Sequence, residues 1–291
     1  MKKIGLTLGG GGARGFAHLP ILEVFDELGI KPCCITGTSI GAILGALYAS
    51  GHTAGEIAEM FHHLITPPNA KLKDIIRSRD AFKILNLIDP HISFKPQGLL
   101  KGEKLLSYLY DQMQVSRFEE LKIPLKVVAT DFWRREQVVF SSGELLPAVR
   151  ASMALPYIFT PVVEDDRVLV DGGLVNNVPH DLLDPECEIR IAVDIMGDTS
   201  TSPTKIPSPR DAVFFTYEVM MDAMAREKLD NHPVDIYVRS PLLDVEILDF
   251  HKPWEIYEQG LRIKDPFRRQ LEQLLESKER PLEGISCNPS G

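Results

Sequence analysis

The first residues of the chain join an apolar segment to a glycine-rich loop and then to a helical pattern. Residues 3–8, KIGLTL, predict a buried strand, and residues 9–15, GGGGARG, follow it directly. An apolar stripe at helical spacing then covers residues 21–28, and Gly29 is suited to cap that helix. A buried strand that turns through glycines into a helix is typical of a parallel α/β sheet, so this feature constrains the fold class first.

The alternation of apolar strands and helical patterns continues along the chain. Further strands are predicted at PCCIT, LKVVATDF, EQVVFSS, RVLVDGG, IRIAVDIM and VDIYVRS, with helical segments among them. Residues 66–120 contain no clear strand and predict a helical cap insertion, while residues 278–291 lack periodicity and predict a loose tail. We therefore expect one α/β domain over residues 1–277, with a mainly parallel central sheet between two helical layers.

Charge and hydropathy exclude several classes of function. The formal net charge of −9 argues against general nucleic-acid binding, which needs a basic surface. The apolar start does not continue into a signal peptide, because it ends at four glycines and Arg14. Residues 35–51 carry no charge but are shorter than the roughly 20 apolar residues of a spanning helix. We expect a soluble, cytoplasmic protein.

The four cysteines are Cys33, Cys34, Cys187 and Cys287, and no two of them form a CxxC pair. Cys33 and Cys34 are neighbours in an apolar stretch, so in a strand their side chains would point to opposite faces. The spacing therefore predicts buried thiols in a reducing compartment and no metal site.

The glycine loop allows two interpretations. Gly10, Gly12 and Gly15 satisfy the GxGxxG pattern of dinucleotide-binding proteins, but no Asp or Glu lies between Leu28 and Gly55 to bind a ribose. A phosphate-binding GK[ST] sequence is also missing after the glycines. Exposed backbone N–H groups before a helix bind either a phosphate or the oxyanion of a tetrahedral intermediate, and a neighbouring nucleophile would favour the oxyanion.

Ser39 is the candidate nucleophile. It lies in GTSIG, residues 37–41, between a predicted strand and a predicted helix, and Gly37 and Gly41 leave room for the sharp turn of a nucleophile elbow. The alternative is that Thr38 or Ser39 only caps the helix.

Two residues are considered as the base that Ser39 needs. His180 follows NNVP but has no motif-like context, whereas Asp171 ends the predicted strand in LVDGGLVNNVP. Because parallel strands end on one side of a sheet, Asp171 is expected to reach Ser39. The alternative for Asp171 is an ordinary Asp-Gly turn.

The order of these motifs is more specific than any one of them. GGGGARG, GTSIG, ASMALPYIFTP at residues 151–161 and then DGG resemble the patatin-like phospholipase family, and the likeness covers residues 4–180. The resemblance implies a three-layer α/β/α fold with a Ser39–Asp171 dyad and no metal or cofactor. It also implies that burial beside Leu169 and Val170 makes Asp171 a better base.

The resemblance extends to the residues around the dyad. It assigns oxyanion-hole amides to Gly10, Gly11 and Gly12, and the turn after the base to Gly172 and Gly173. It places Arg14 at a basic position of the loop, where the side chain either holds the loop's shape or meets a lipid phosphate.

The resulting prediction is a serine acyl hydrolase of lipid esters, of the phospholipase A or lysophospholipase type. Residues 68–104 carry eight Lys or Arg against four acids among apolar residues, which suits a membrane surface or, alternatively, a solvated cap. Met220, Met221 and Met224 line an acyl pocket or simply pack in the core. The rival functions are a dinucleotide-binding oxidoreductase and a non-catalytic interaction protein on a patatin-like scaffold.

Overall fold

A computed structural model describes residues 2–65, 108, 110–198, 204 and 206–277. The strands are β1 (Ile4–Leu8), β2 (Cys34–Thr38), β3 (Leu125–Asp131), β4 (Glu136–Phe140), β5 (Val162–Glu164), β6 (Arg167–Asp171), β7 (Ile189–Asp194) and β8 (Ile236–Arg239). The α-helices are α1 (Leu19–Glu27), α2 (Ile40–Ser50), α3 (Ala54–Ile65), α4 (Leu145–Ser152), α5 (Gly173–Asn176), α6 (Pro209–Asn231), α7 (Pro253–Gly260) and α8 (Lys264–Glu276).

The strands form one mixed sheet whose hydrogen-bonded pairs follow the path β5-β6-β3-β2-β1-β7-β8, and β4 pairs with β3 in addition. The central strands β3, β2, β1, β7 and β8 run parallel to one another, whereas β4 and β6 run antiparallel to β3. The predicted α/β fold with a mainly parallel sheet is confirmed.

Both faces of the sheet are covered. The alternating residues Ile4, Leu6 and Leu8 of β1 belong to the main core, together with the apolar sides of α1 and α2. The opposite face of β1 is less bulky, and there Thr7 Oγ1 lies 2.7 Å from Thr36 Oγ1. A smaller cluster that includes residues of β7 and α6 packs on this second face. Helices on both faces give the three layers that a parallel sheet requires.

Two strands meet end to end along one edge of β3. Residues 127–131 of β3 pair with β4 on one edge. On the other edge, β2 pairs as far as Thr38 opposite Val128, and β6 then pairs from Asp171 opposite Ala129. The last residue of β2 is therefore adjacent to the last residue of β6, although the two strands run in opposite directions.

The direction of β6 differs from the one expected from the sequence. The sequence predicts that Asp171 approaches Ser39 because parallel strands end on one side of a sheet. Instead β6 runs antiparallel to β3. Asp171 reaches the carboxyl end of β2 because the two strand ends abut along the same neighbour.

The segment after the glycine loop also differs in detail from the single predicted helix. A 3-10 helix covers Gly12–His18, and the α-helix begins at Leu19 with Pro20 in its first turn. The N–H groups in the first turn of a helix have no acceptor within the helix. Proline has no N–H, so it is well tolerated there and favours a helix start at this point. Gly29, with φ of 64°, follows the helix end as predicted.

Several predictions concern parts of the chain that the structure does not describe. Most of the predicted cap (residues 66–120), the whole basic and apolar segment 68–104 and the predicted tail 278–291 lie outside the described residues, so these remain predictions. Among the helices that are described, none is long and apolar enough to cross a membrane.

Candidate active site

Ser39 has the backbone of a sharp strand-to-helix turn. It lies between β2 and α2 with φ of 54° and ψ of −123°, a conformation that residues with a side chain rarely adopt. Its N–H donates a hydrogen bond to Ser152 Oγ at 2.8 Å, which helps to hold this turn. The Ser39 side chain does not cap α2, so the capping alternative does not describe its hydroxyl.

The glycines around Ser39 allow the main chain to pack tightly. A Cβ atom placed on Gly41 would lie only 2.0 Å from the carbonyl oxygen of Leu8 at the end of β1. One placed on Gly37 would lie 2.6 Å from the carbonyl oxygen of Gly41. Any larger residue at Gly41 would push α2 away from β1, and the position of Ser39 would change with it.

The Ser39 hydroxyl donates a hydrogen bond to Asp171. Its Oγ lies 2.7 Å from Asp171 Oδ2, and Ser39 is partly exposed whereas Asp171 is buried. The second carboxylate oxygen, Oδ1, accepts the N–H of Gly173 at 2.8 Å. The two oxygens of Asp171 are thus divided between the hydroxyl and the following turn, which fixes the orientation of the carboxylate.

Burial raises the pKa of Asp171 from its ordinary 3.8 to about 6, against the opposing effect of the hydrogen bonds from Ser39 and Gly173. The buried neighbours Leu169 and Val170 on β6 contribute to this dry environment. A Cβ on Gly173 would lie 2.9 Å from Met221 Sδ, 3.0 Å from Asn177 Oδ1 and 3.1 Å from Asp171 Oδ1, so this turn is closely packed. A carboxylate with a raised pKa is a stronger base at neutral pH than a free one.

The glycine loop packs directly against Ser39. A Cβ on Gly10 would lie 3.2 Å from Ser39 Cβ. The Gly10 N–H, however, donates to the carbonyl oxygen of Asn177 at 3.0 Å. The N–H groups of Gly11 and Gly12 donate no hydrogen bond within the described part of the chain, and both residues are partly exposed. Of the three amides named from sequence, these two are free to meet a ligand.

Arg14 points into the protein. Its side chain is buried, Nε donates to the Val245 carbonyl oxygen at 2.8 Å, and Nη2 pairs with Glu218 Oε2 on α6 at 3.1 Å. Of the two alternatives left by the sequence, this geometry fits the support of the loop's shape.

Several supporting residues were missed by sequence reasoning. His18 is fully buried, its Nε2 donates to the Gly9 carbonyl oxygen at 2.9 Å, and desolvation lowers its pKa to about 4, so it supports the loop as a neutral imidazole. Asn176 accepts the Thr38 hydroxyl at its carbonyl oxygen at 2.8 Å. Asn177 holds Gly10 through both its carbonyl oxygen and its side-chain Nδ2. The consecutive asparagines in LVDGGLVNNVP were the available signal.

Two other candidates from the sequence take different positions. His180 is buried, and its Nδ1 donates to the Val178 carbonyl oxygen two residues earlier, at 2.8 Å. The methionine cluster is divided, because Met221 is buried beside Gly173 while Met220 is exposed on α6. Met221 therefore lies near the Ser39–Asp171 pair, and Met224, one helical turn further along α6, is partly buried.

Comparison with known proteins identifies the family. The family model described as patatin-like phospholipase matches residues 6–184, which include the glycine loop, the Ser39 turn and Asp171. The chain belongs to the patatin-like phospholipase family. This membership confirms the resemblance and removes the support for the dinucleotide-binding alternative.

Two curated relatives align with this chain over stretches that are much longer than the motifs. An uncharacterized NTE family protein of Mycobacterium tuberculosis is 33% identical over 208 residues, which are 71% of this chain and 52% of that protein. The lysophospholipase NTE1 of Kluyveromyces lactis is 27% identical, and the match covers 96% of this chain and 20% of the yeast protein. The chain thus spans about half the length of the mycobacterial protein and about a fifth of the length of the yeast protein.

Proposed function

We propose that the chain is a serine acyl hydrolase that cleaves carboxyl esters of lipids with Ser39 as nucleophile and Asp171 as base. One observation carries the proposal: the Ser39 hydroxyl donates to a buried carboxylate whose pKa is raised to about 6. A carboxylate in this state is ionised at neutral pH yet basic enough to accept the hydroxyl proton during attack.

The acylation step follows from this contact. Asp171 Oδ2 takes the proton as Ser39 Oγ forms a bond to the ester carbonyl carbon, and the carbonyl oxygen becomes an oxyanion. We assign the N–H groups of Gly11 and Gly12 to this oxyanion, because the Gly10 N–H is already bonded to Asn177. When the intermediate collapses, the ester C–O bond breaks and the leaving alcohol takes the proton from Asp171.

Deacylation repeats the same proton transfers. Asp171 removes a proton from water, the resulting hydroxide equivalent attacks the acyl carbon, and the second intermediate collapses with release of the fatty acid. Ser39 Oγ recovers the proton from Asp171. No step in this scheme requires a metal or a cofactor.

The substrate class is inferred from the family and from the printed names of the relatives. NTE1 of Kluyveromyces lactis is named a lysophospholipase, and we propose a lysophospholipid or phospholipid ester as the substrate of this chain. Such substrates lie in membranes or micelles, so the basic and apolar segment 68–104 stays the predicted surface for peripheral membrane contact.

The first test is covalent labelling of the purified protein with a fluorophosphonate ester, followed by mass spectrometry of the tryptic peptide that contains Ser39. We expect one adduct on Ser39 and no adduct in Ser39→Ala. Asp171→Asn should label far more slowly, because an amide does not accept the proton. Ser50→Ala, which changes a buried serine of α2 away from the dyad, is the matched control and should label like the unchanged protein.

The pH dependence of labelling tests the role of the base. The rate should rise with pH and reach half its plateau near pH 6, where Asp171 loses its proton. Release of fatty acid from lysophospholipid micelles, compared with release from a short soluble ester, then reports the substrate class. An unlabelled Ser39 in a protein shown by circular dichroism to be folded would contradict the proposal. It would favour the alternative that the chain is a non-catalytic interaction protein.

A further inference from the structure

Three cysteine sulfurs meet at the end of the sheet opposite to the dyad. Cys187 Sγ lies 3.4 Å from Cys34 Sγ and 3.6 Å from Cys33 Sγ, and all three sulfurs lie within 4.8 Å of one another. Cys34 is five residues before Ser39 along β2, which corresponds to roughly 16 Å at the rise of a strand. The cluster is therefore separate from the proposed catalytic site.

The sheet brings these residues together across β1. Cys34 opens β2 and Cys187 comes shortly before β7, and both strands pair with β1. The β1 residue between them is Gly5, where a Cβ would lie 2.7 Å from Cys187 Sγ. Because Gly5 has no side chain, Cys187 can extend its sulfur over β1 toward Cys34. The space that the thiols share thus depends on this glycine.

We propose that Cys33, Cys34 and Cys187 form a three-thiolate site for a thiophilic d10 metal ion, Cu(I) or Zn(II). Thiolates are the ligands that select these soft ions. Three sulfurs at about 2.3 Å from one metal lie roughly 3.8–4.0 Å apart, so small rotations of the side chains would convert the observed separations into a coordination triangle.

The surroundings of the sulfurs fit this use. Cys34 and Cys187 are buried, whereas Cys33 is partly exposed and offers an entry path. Lys3, which begins the approach to β1, pairs with the exposed Glu186 beside the cluster. Ordered backbone and a nearby cation at the rim would help to hold the sulfurs in place once a metal is bound.

The protons balance without any redox step. Each cysteine enters the reaction as a thiol and binds the metal as a thiolate. Binding breaks the three S–H bonds, forms three S–metal bonds and releases the protons to the buffer. Cu(I) accepts three thiolates, whereas Zn(II) takes a fourth ligand, which solvent can supply.

The test uses the full chain, reduced and kept under anaerobic conditions. One arm titrates Zn(II) and the other Cu(I), each against a chromogenic chelator of that ion, and the arms distinguish the two metals. We expect one ion per chain in at least one arm and a melting temperature about 5 °C higher at about a hundredfold excess over Kd. Cys187→Ser, which removes the sulfur shared by both short contacts, should lose this binding and the shift.

Two further variants test whether the three clustered thiols form the metal site. Cys287→Ser changes the cysteine outside the described residues and should keep the binding. Gly5→Ala retains all three thiols but displaces Cys187 Sγ, and it should weaken binding roughly tenfold or more. Melting curves of the metal-free variants by circular dichroism show which of them fold.

Three results would overturn the proposal. The first is the absence of stoichiometric binding of either ion by the folded, reduced chain. The second is equal loss of binding in Cys287→Ser, because the three thiols would then not be the site. The third is unchanged binding in folded Cys187→Ser. If no ion binds and air oxidation joins Cys187 to a neighbouring cysteine, the cluster is a disulfide-forming pair instead.

Discussion

Replacement of Asp171 by asparagine should stabilise the protein at neutral pH. Folding raises the pKa of this carboxyl from 3.8 to about 6. A shift of about two pKa units corresponds to about 3 kcal/mol of differential stability between the protonated and ionised forms. Between these two values the folded state binds more protons than the unfolded state, so the free energy of unfolding falls as the pH rises and levels off above about pH 6.

Asparagine removes this cost while it keeps most of the local contacts. Its carbonyl oxygen can still accept the Gly173 N–H, and its amide can donate to the Ser39 hydroxyl in place of accepting from it. We therefore expect Asp171→Asn to be up to about 3 kcal/mol more stable than the unchanged protein at pH 8. At pH 3.5, where Asp171 is mostly protonated in both states, the difference should shrink toward zero.

The assay is urea unfolding of both proteins at intervals from pH 3.5 to pH 8. The difference between the two unfolding free energies isolates position 171, because the other titrating groups cancel. Asp131→Asn is a control of opposite sign, since the hydrogen bond from Arg134 holds the pKa of Asp131 below its usual range. A destabilised Asp171→Asn at pH 8, or a difference that does not change with pH, would refute the argument from burial.

Three other predictions concern residues that support the Ser39–Asp171 pair, and a substitution at Gly55 serves as the control for the first of them. Gly41→Ala should abolish folding or cost several kcal/mol, because the new Cβ would lie 2.0 Å from a carbonyl oxygen of β1. Gly55→Ala, with its nearest contact at 4.0 Å inside α3, should instead stabilise the protein by about 0.5–1 kcal/mol in the same urea assay. Ser152→Ala should lower the free energy of unfolding by about 1–2 kcal/mol and slow fluorophosphonate labelling, because it leaves the Ser39 N–H without its acceptor. An unchanged labelling rate would show that Ser152 does not hold the turn at Ser39. Arg14→Met should lower the free energy of unfolding by about 3 kcal/mol at pH 7, because it leaves its glutamate partner on α6 unpaired. Part of this loss should be recovered at pH 5, where the glutamate can take up a proton. An equal loss at both pH values would contradict the ion pair.

Local sequence patterns were sufficient for the elements around the site. The strand before the glycine loop, the strand-to-helix turn at Ser39 and the strand that ends at Asp171 were all predicted within a few residues of their observed bounds. Each depends on neighbours in the chain, namely apolar runs and glycines, which local propensity describes well.

Contacts between distant parts of the chain could not be predicted in the same way. The direction of β6 depends on which edge of β3 is free, and no local pattern reports this. The use of the Gly10 N–H by Asn177 and the inward direction of Arg14 depend on partners more than 160 residues away. The cysteine cluster was missed for the same reason, because Cys34 and Cys187 are 153 residues apart and meet only through the order of the strands.

The end-to-end meeting of β2 and β6 has a consequence for how related chains are recognised. The distance between Ser39 and Asp171 is set by one step along β3, from Val128 to Ala129, and their separation of 132 positions in the chain does not affect it. Insertions between the two motifs can therefore change in length without changing the dyad. A one-residue slip of β6, in contrast, would move Asp171 by about 3.3 Å and turn its side chain to the other face. A search pattern for related chains should leave the spacing between the motifs free and require the intervening strand.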